Sequence, residues 1–145
     1  MPPLSQQQLK EFLTDQPHIM KLATLTSEGW PYVAPVWYDY DGDVFEVAGR
    51  SKARWVENIR NDDKVSLCID TYEAPYTRVL VKATAEIVDA NWFPTSPARA
   101  IRYIGEEAGR RYFEEMRNQP RARVRITPHE VVSWTGGGWH PRYAE

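Results

Sequence analysis

Gly49-Arg50-Ser51-Lys52-Ala53-Arg54 sets a glycine, a hydroxyl and three cations in one short run. A strand predicted over 44–48 enters this run from Ala48. A helix predicted over 52–61 leaves it, with Ser51 as its N-cap. A helix start offers unpaired N–H groups and a partial positive charge. Full cations at that point oppose the helix dipole unless an anion sits there. Gly49 lets the backbone come close to such a ligand. The pattern suits a phosphate or a carboxylate. The same cations also suit a solvated helix start that meets Asp62, Asp63 or water.

Two further segments bear on a ligand. Pro35 lies inside Tyr32-Val33-Ala34-Pro35-Val36-Trp37. Proline cannot donate to a ladder, so it marks an edge or a bulge. The edge is either protected against pairing or turns its free backbone toward a planar ligand. Near the C-terminus, Gly136-Gly137-Gly138 precedes Trp139-His140-Pro141-Arg142-Tyr143. That tail is either unstructured or docks its aromatics at home or on a partner subunit.

No side-chain catalyst stands out. His18, His129 and His140 are far apart and lack metal-ligand spacing. Nucleophile-elbow, zinc-protease and Walker patterns do not occur. Glu106-Glu107 and Glu114-Glu115 fall on an exposed helix face. Cys68, in the strand-like run 65–70, reads as a packed thiol. An enzyme built on this chain borrows its chemistry from a cofactor.

The elements that position these residues follow from periodicity and punctuation. Ser5 and Gln8 form a capping box for a helix to about Thr14. Strands are predicted over 19–26, 30–40 and 44–48, joined by Ser27-Glu28-Gly29 and Asp41-Gly42-Asp43 as a three-stranded meander. Further strands are predicted over 65–71 and 77–89, the second with Val79, Val81, Ala83, Ala85 and Ile87 on one face. Ser96 and Pro97 open a helix that ends near Gly105. Another helix covers 106–117 with Ala108, Tyr112, Phe113 and Met116 inward. The last strand or pair covers 122–127 and 130–135, broken by Pro128. Such a pattern predicts one domain over 1–145, a mainly β fold with helices. It is a six- to seven-stranded, mostly antiparallel barrel with helices outside it.

Composition narrows the function. The 145 residues have a formal charge of −2, so no global basic field recruits nucleic acid, and any anion site must be local. One cysteine forbids an intrachain disulfide. No apolar run approaches a membrane span, and the first residues lack the pattern of a signal peptide. The expectation is a soluble cytoplasmic protein without nucleic-acid or membrane partners. Six Trp and eight Tyr suit flat ligands, a subunit interface or an ordinary core.

The order and spacing of several runs resemble the split β-barrel flavoproteins related to pyridoxamine 5′-phosphate oxidase, a superfamily that includes F-420-dependent reductases. The runs are Leu22-Ala23-Thr24-Leu25, Glu28 through Trp37, Arg50-Ser51-Lys52-Ala53-Arg54 and Val79 through Ile87. The resemblance implies that Ala48, Gly49, Arg50, Ser51 and Lys52 belong to the segment holding the cofactor phosphate. It implies that Val33, Ala34, Pro35, Val36 and Trp37 lie along the ring. Trp139 and Arg142 would close the site, and Arg78 and Lys82 would reach it from the second subunit of a homodimer. The implied cofactor is FMN, with F-420 as the alternative. Arg54, Arg60, Arg121, Arg123 and Arg125 could form the longer basic groove that F-420 needs. The implied activity is hydride transfer to or from a small planar substrate. A non-catalytic flavin or haem storage protein, with His18 as its early histidine, is the reading from another class. Tyr32 to Trp37 contains no cation where the true oxidase has an arginine and a lysine, so the resemblance does not extend to pyridoxamine phosphate oxidation. Tyr38, Tyr143 and His140 are the candidate proton donors.

Overall fold

The computed structural model describes residues 3–136. The chain runs α1 (Gln6–Asp15), β1 (Met20–Leu25), β2 (Pro31–Val36), β3 (Asp39–Tyr40), β4 (Phe45–Arg50) and α2 (Arg54–Asn61). It continues through β5 (Lys64–Asp70), β6 (Thr77–Trp92), α3 (Ala98–Ile104), α4 (Glu106–Met116) and β7 (Arg121–Thr135). The described strands form one sheet of seven, in the order β2-β1-β5-β6-β7-β4-β3. Every pairing in it is antiparallel. β2 and β3 follow each other in the chain yet end the sheet at opposite edges. The curled sheet is therefore a split barrel, open where the chain passes from β2 to β3.

Local chemistry sets the element ends. Ser5 accepts from the Gln8 N–H while the Gln8 side chain accepts from the Ser5 N–H, the predicted capping box. Gly29 and Gly42 take φ of 83° and 102°, conformations that favour glycine, and turn the two hairpins. On β6, Val79, Val81, Ala83 and Ala85 are buried and alternate with exposed residues. With Leu22, Phe45, Val47, Ile69, Val124 and Ile126 they fill the barrel. Pro35 does sit on an edge strand, since β2 pairs only with β1.

Four sequence expectations are corrected. The strand over 30–40 is two strands, because Trp37 and Tyr38 leave the ladder. The Tyr38 ring is fully buried, its hydroxyl donates to the Leu13 carbonyl (2.8 Å), and its N–H donates to the Tyr103 hydroxyl (3.1 Å). The three-stranded meander is broken, because β4 pairs with the distant β7 rather than with β2. Ser51 is not an N-cap. α2 starts at Arg54 after Ala53, and the Ser51 hydroxyl donates to the Ala90 carbonyl on β6 (3.0 Å). Pro128 does not interrupt the last element: of the two readings, strand or pair, β7 is the single strand, and the register only shifts opposite Pro128, between Lys82 and Ala83.

Helix α3 starts at Ala98, with the Ser96 hydroxyl accepting from the Ala98 N–H (3.1 Å). α3 and α4 meet so closely that a Cβ on Gly109 would lie 2.5 Å from the Ile101 nitrogen. No described helix is long and apolar enough to cross a membrane.

Candidate functional site

β4 runs into the glycine and cation turn of residues 49–54. Gly49 is buried because the Trp55 ring of α2 lies on it: an added Cβ would stand 2.3 Å from Trp55 Cζ2. Gly49 thus makes room for a side chain of the protein itself. That contact ties the end of β4 to α2, and the turn between them closes with the Ala53 N–H donating to the Arg50 carbonyl (2.9 Å). Arg50, Lys52 and Arg54 project from this turn and are exposed. Among the described residues none of the three makes an ion pair. Arg54 lies over the Tyr32 ring of β2, 5.9 Å from its centroid. Arg60 is committed to Glu57 and to the Ser51 carbonyl.

Beside this turn opens a cavity of about 480 Å³. Pro35, Val36 and Trp37 bound it from the β2 side, and Ala48 and Gly49 from β4. It therefore reaches from the β2 edge to β4, the strand next to the β3 edge. Trp92, Tyr112, Phe113 and Met116 form the facing wall. Trp37 is fixed by stacking on Tyr103 (centroids 5.0 Å apart, planes within 6°) and by a tilted contact with Tyr112 (5.5 Å). Most of the wall is apolar and rich in aromatic rings, the character of a site for a planar ligand.

The acids in the wall are occupied. Arg99 donates to Asp39 (2.8 Å) and to Glu46 (3.1 Å), and Arg123 donates to the other Glu46 oxygen (2.9 Å). Burial alone would raise the Glu46 carboxyl; the hydrogen bonds and charge of Arg123 and Arg99 outweigh it and hold the group below its ordinary range. Arg121, also in the wall, donates to the Tyr112 hydroxyl (2.8 Å).

Among the predicted site residues, the structure brings Pro35, Val36, Trp37, Ala48 and Gly49 together around the cavity. Ala34 faces the barrel core and Val33 faces solvent. Arg50, Ser51 and Lys52 stand on the adjoining turn. Arg78 and Lys82 lie elsewhere, on the outer face of β6: Arg78 covers the Trp134 ring (4.7 Å) and Lys82 pairs with Glu130 (3.0 Å). Trp139 and Arg142, with His140 and Tyr143, lie outside the described residues. Tyr38 is corrected as a proton donor, since its buried hydroxyl is spent on Leu13 and burial raises its pKa far above the ordinary value. His18 stacks on Phe12 (4.4 Å), and burial lowers its pKa. Cys68 is half-buried with a raised pKa, chiefly from burial, as a packed thiol should be.

Sequence reading did not single out Trp92, Asp39, Glu46 or Arg99. Asp39 and Glu46 are cross-strand partners flanking the Asp41-Gly42 hairpin, so their pairing could have been read from the turn. Arg99 comes to them from a helix 60 positions away from Asp39, and no local signal marks it.

The residues fit a phosphate-bearing planar cofactor. Three exposed cations without acidic partners among the described residues stand next to a cavity with a largely apolar, aromatic wall at an open sheet edge. The described residues contain no group of acids, histidines or cysteine suited to a metal ion.

Comparison with known proteins bears on the family and the fold. No curated protein matches the chain. Among solved structures, a conserved hypothetical protein from Mycobacterium tuberculosis is 25% identical, with TM-score 0.72 over 91% of this chain and 85% of that one. An F420 reductase is 20% identical, with TM-score 0.62 over 83% of this chain and 94% of that one. HutZ, the haem storage protein of Vibrio cholerae, is 20% identical, with TM-score 0.66 over 88% and 94%. The family described as pyridoxamine 5′-phosphate oxidase matches residues 5–135, and the chain belongs to that family.

Proposed function

We propose that the protein is an FMN-dependent oxidoreductase that passes hydride to or from a small planar substrate. The observation behind this reading is the cation turn, Arg50, Lys52 and Arg54, set beside the aromatic cavity. The turn would hold the phosphate as a point of charge that needs no burial of the cations. Pro35, Val36 and Trp37 would lie along the ring at the β2 edge, where no further strand competes for the backbone. When bound, FMN supplies the hydride chemistry. The chain's own part is to orient the two reactants and to keep water from them. Trp37, Tyr112 and Phe113 do the excluding. Trp37 is already immobilised by Tyr103 and needs no reordering.

F-420 is the alternative within the same fold, and its tail asks for a longer basic groove. Arg123 and Arg125 were candidates for that groove, but Arg123 is taken up by Glu46 and Arg125 lies 3.9 Å from Glu86. Those two pairings shorten the groove, while Arg54 and Arg121 meet no acid among the described residues, so titration with both cofactors decides between them. A non-catalytic haem binder has less support, because the His18 ring is stacked on Phe12 (4.4 Å); a non-catalytic flavin binder is separated from the enzyme by turnover. The working unit in this reading is a homodimer in the reducing cytoplasm. Its support is an outer sheet face on which Leu80 and Val132, direct cross-strand neighbours, are both exposed.

The test is an absorbance-monitored titration of apo-protein with FMN and with F-420, followed by turnover. Tighter FMN binding with a perturbed flavin spectrum and substrate-dependent reduction or reoxidation is expected. Preference for F-420 would replace the reading with a deazaflavin-dependent reductase. Binding without any redox turnover would make it a storage protein, and binding of neither would remove the cofactor. Sedimentation at micromolar concentration tests the dimer, with a monomer as the contrary result.

A further inference from the structure

Arg121 is the one arginine in the cavity wall that meets no carboxylate among the described residues. Arg99 is saturated by Asp39 and Glu46, and Arg117 pairs with Glu114 (3.3 Å). Arg121 has only the Tyr112 hydroxyl and the Tyr112 ring, 5.7 Å away. Its direct partner across the β4–β7 ladder is Arg50. Both residues fall on the outer face, since the neighbouring Gly49 and Ala122 are buried. Like charges directly opposite each other destabilise a sheet, and here neither is relieved by an acid among the described residues. The two differ in where they stand. Arg50 belongs to the exposed turn outside the cavity, whereas Arg121 is half-buried and lines it beside Trp92, Tyr112 and Met116.

We infer that Arg121 is a second, separate anion subsite, and that the substrate is a planar, largely apolar molecule bearing a carboxylate or similar anionic group. The inference rests on the cofactor reading for the role of the cavity, and it adds the substrate's charge. The aromatic wall takes the flat body of the molecule. The guanidinium, already oriented by the Tyr112 hydroxyl, keeps free N–H donors for the anion, and a half-buried position strengthens that pairing relative to open water. Asp39 and Glu46 do not repel such a ligand, because Arg99 and Arg123 neutralise them.

The test uses a matched pair of flat probes, 2-naphthoate and 2-naphthamide, titrated by calorimetry into FMN-loaded protein. They share the ring and the shape, and the amide replaces one anionic oxygen with a neutral NH2 donor. The naphthoate is expected to bind about tenfold more tightly, the size of one charge-assisted contact. In Arg121→Gln the preference should fall to about one while naphthamide binding stays within about twofold. In Arg121→Lys part of the preference should remain, and a thermal melt of each variant shows whether it is folded. Equal binding of the two probes by the parent protein would overturn the inference. So would an Arg121→Gln protein that keeps the preference. A variant that loses FMN affinity about tenfold would also overturn it, by assigning Arg121 to the cofactor phosphate. Should FMN fail to bind, the same pair is titrated into the apo-protein. The preference is expected there too, because the wall around Arg121 is preformed, so the two readings fail separately.

Discussion

Substituting Gly49 with alanine tests how the cation turn is held in place. The added Cβ would lie 2.3 Å from Trp55 Cζ2, 3.1 Å from Cε2 and 3.2 Å from Cη2, all within one rigid ring. Trp55 is 7% exposed, and the only space beside its ring is the cavity that it helps to line. Either the indole leaves its place or the end of β4 moves. Overpacking of this kind costs about 1–3 kcal/mol, which for a chain of this size is a fall in Tm of roughly 3–10 °C. The clash involves the outer ring of the indole, so Trp55→Phe removes the atoms that collide. In a double-mutant cycle, Gly49→Ala should be costly in the parent background and cost about 1 kcal/mol less, or nothing, in the Trp55→Phe background. Urea unfolding at fixed protein concentration gives all four stabilities. A neutral Gly49→Ala, or the same cost in both backgrounds, would refute the claim that the indole is what requires glycine there.

Three other outcomes are expected. Gly109→Ala should destabilise by about 2 kcal/mol net although alanine favours a helix by about 1 kcal/mol over glycine, because the colliding atoms are Ile101 backbone; a stabilised variant in thermal melts would show that α3 and α4 are not so close. Thr24→Val should cost about 1–3 kcal/mol by leaving the buried Asn58 amide without its 3.0 Å partner, and a neutral result in urea unfolding would contradict this. Glu46 has a folded pKa below its ordinary 4.5, so its contribution to stability is full above that value and is lost as pH falls through the lower, folded one. Glu46→Gln should therefore be less stable than the parent at neutral pH, with the gap closing in acid below about pH 4.5; a gap that does not change with pH would sink the assignment.

Much of the fold could be read because its signals are local. The α1 capping box, the Gly29 and Gly42 turns and the alternation along β6 each depend on neighbours a few positions apart. Pro35 announced an edge strand for the same reason. What sequence reading missed depends on distant partners. β4 looked like the third strand of a meander, yet it pairs with β7 because Tyr38 pulls the chain out of the sheet to reach Leu13 and Tyr103. Ser51 has the chemistry of an N-cap, but the Ala90 carbonyl captures its hydroxyl and α2 begins at Arg54. The site divides in the same way. The cation turn and the 35–37 edge were legible as runs. The facing wall, Trp92, Tyr112 and Arg121, is assembled from β6, α4 and β7, and the Arg99 clamp on Asp39 and Glu46 comes from α3.

The central claim is that the turn bearing Arg50, Lys52 and Arg54 holds a cofactor phosphate next to an aromatic ring site. Riboflavin is FMN without the phosphate, so a paired titration of the two into the parent protein and into Lys52→Ala isolates that contact. The parent should bind FMN at least about tenfold more tightly than riboflavin, as expected for a charge-assisted phosphate contact, and Lys52→Ala should lose most of that difference while riboflavin binding is unchanged. Equal affinity for FMN and riboflavin in the parent protein would contradict the claim.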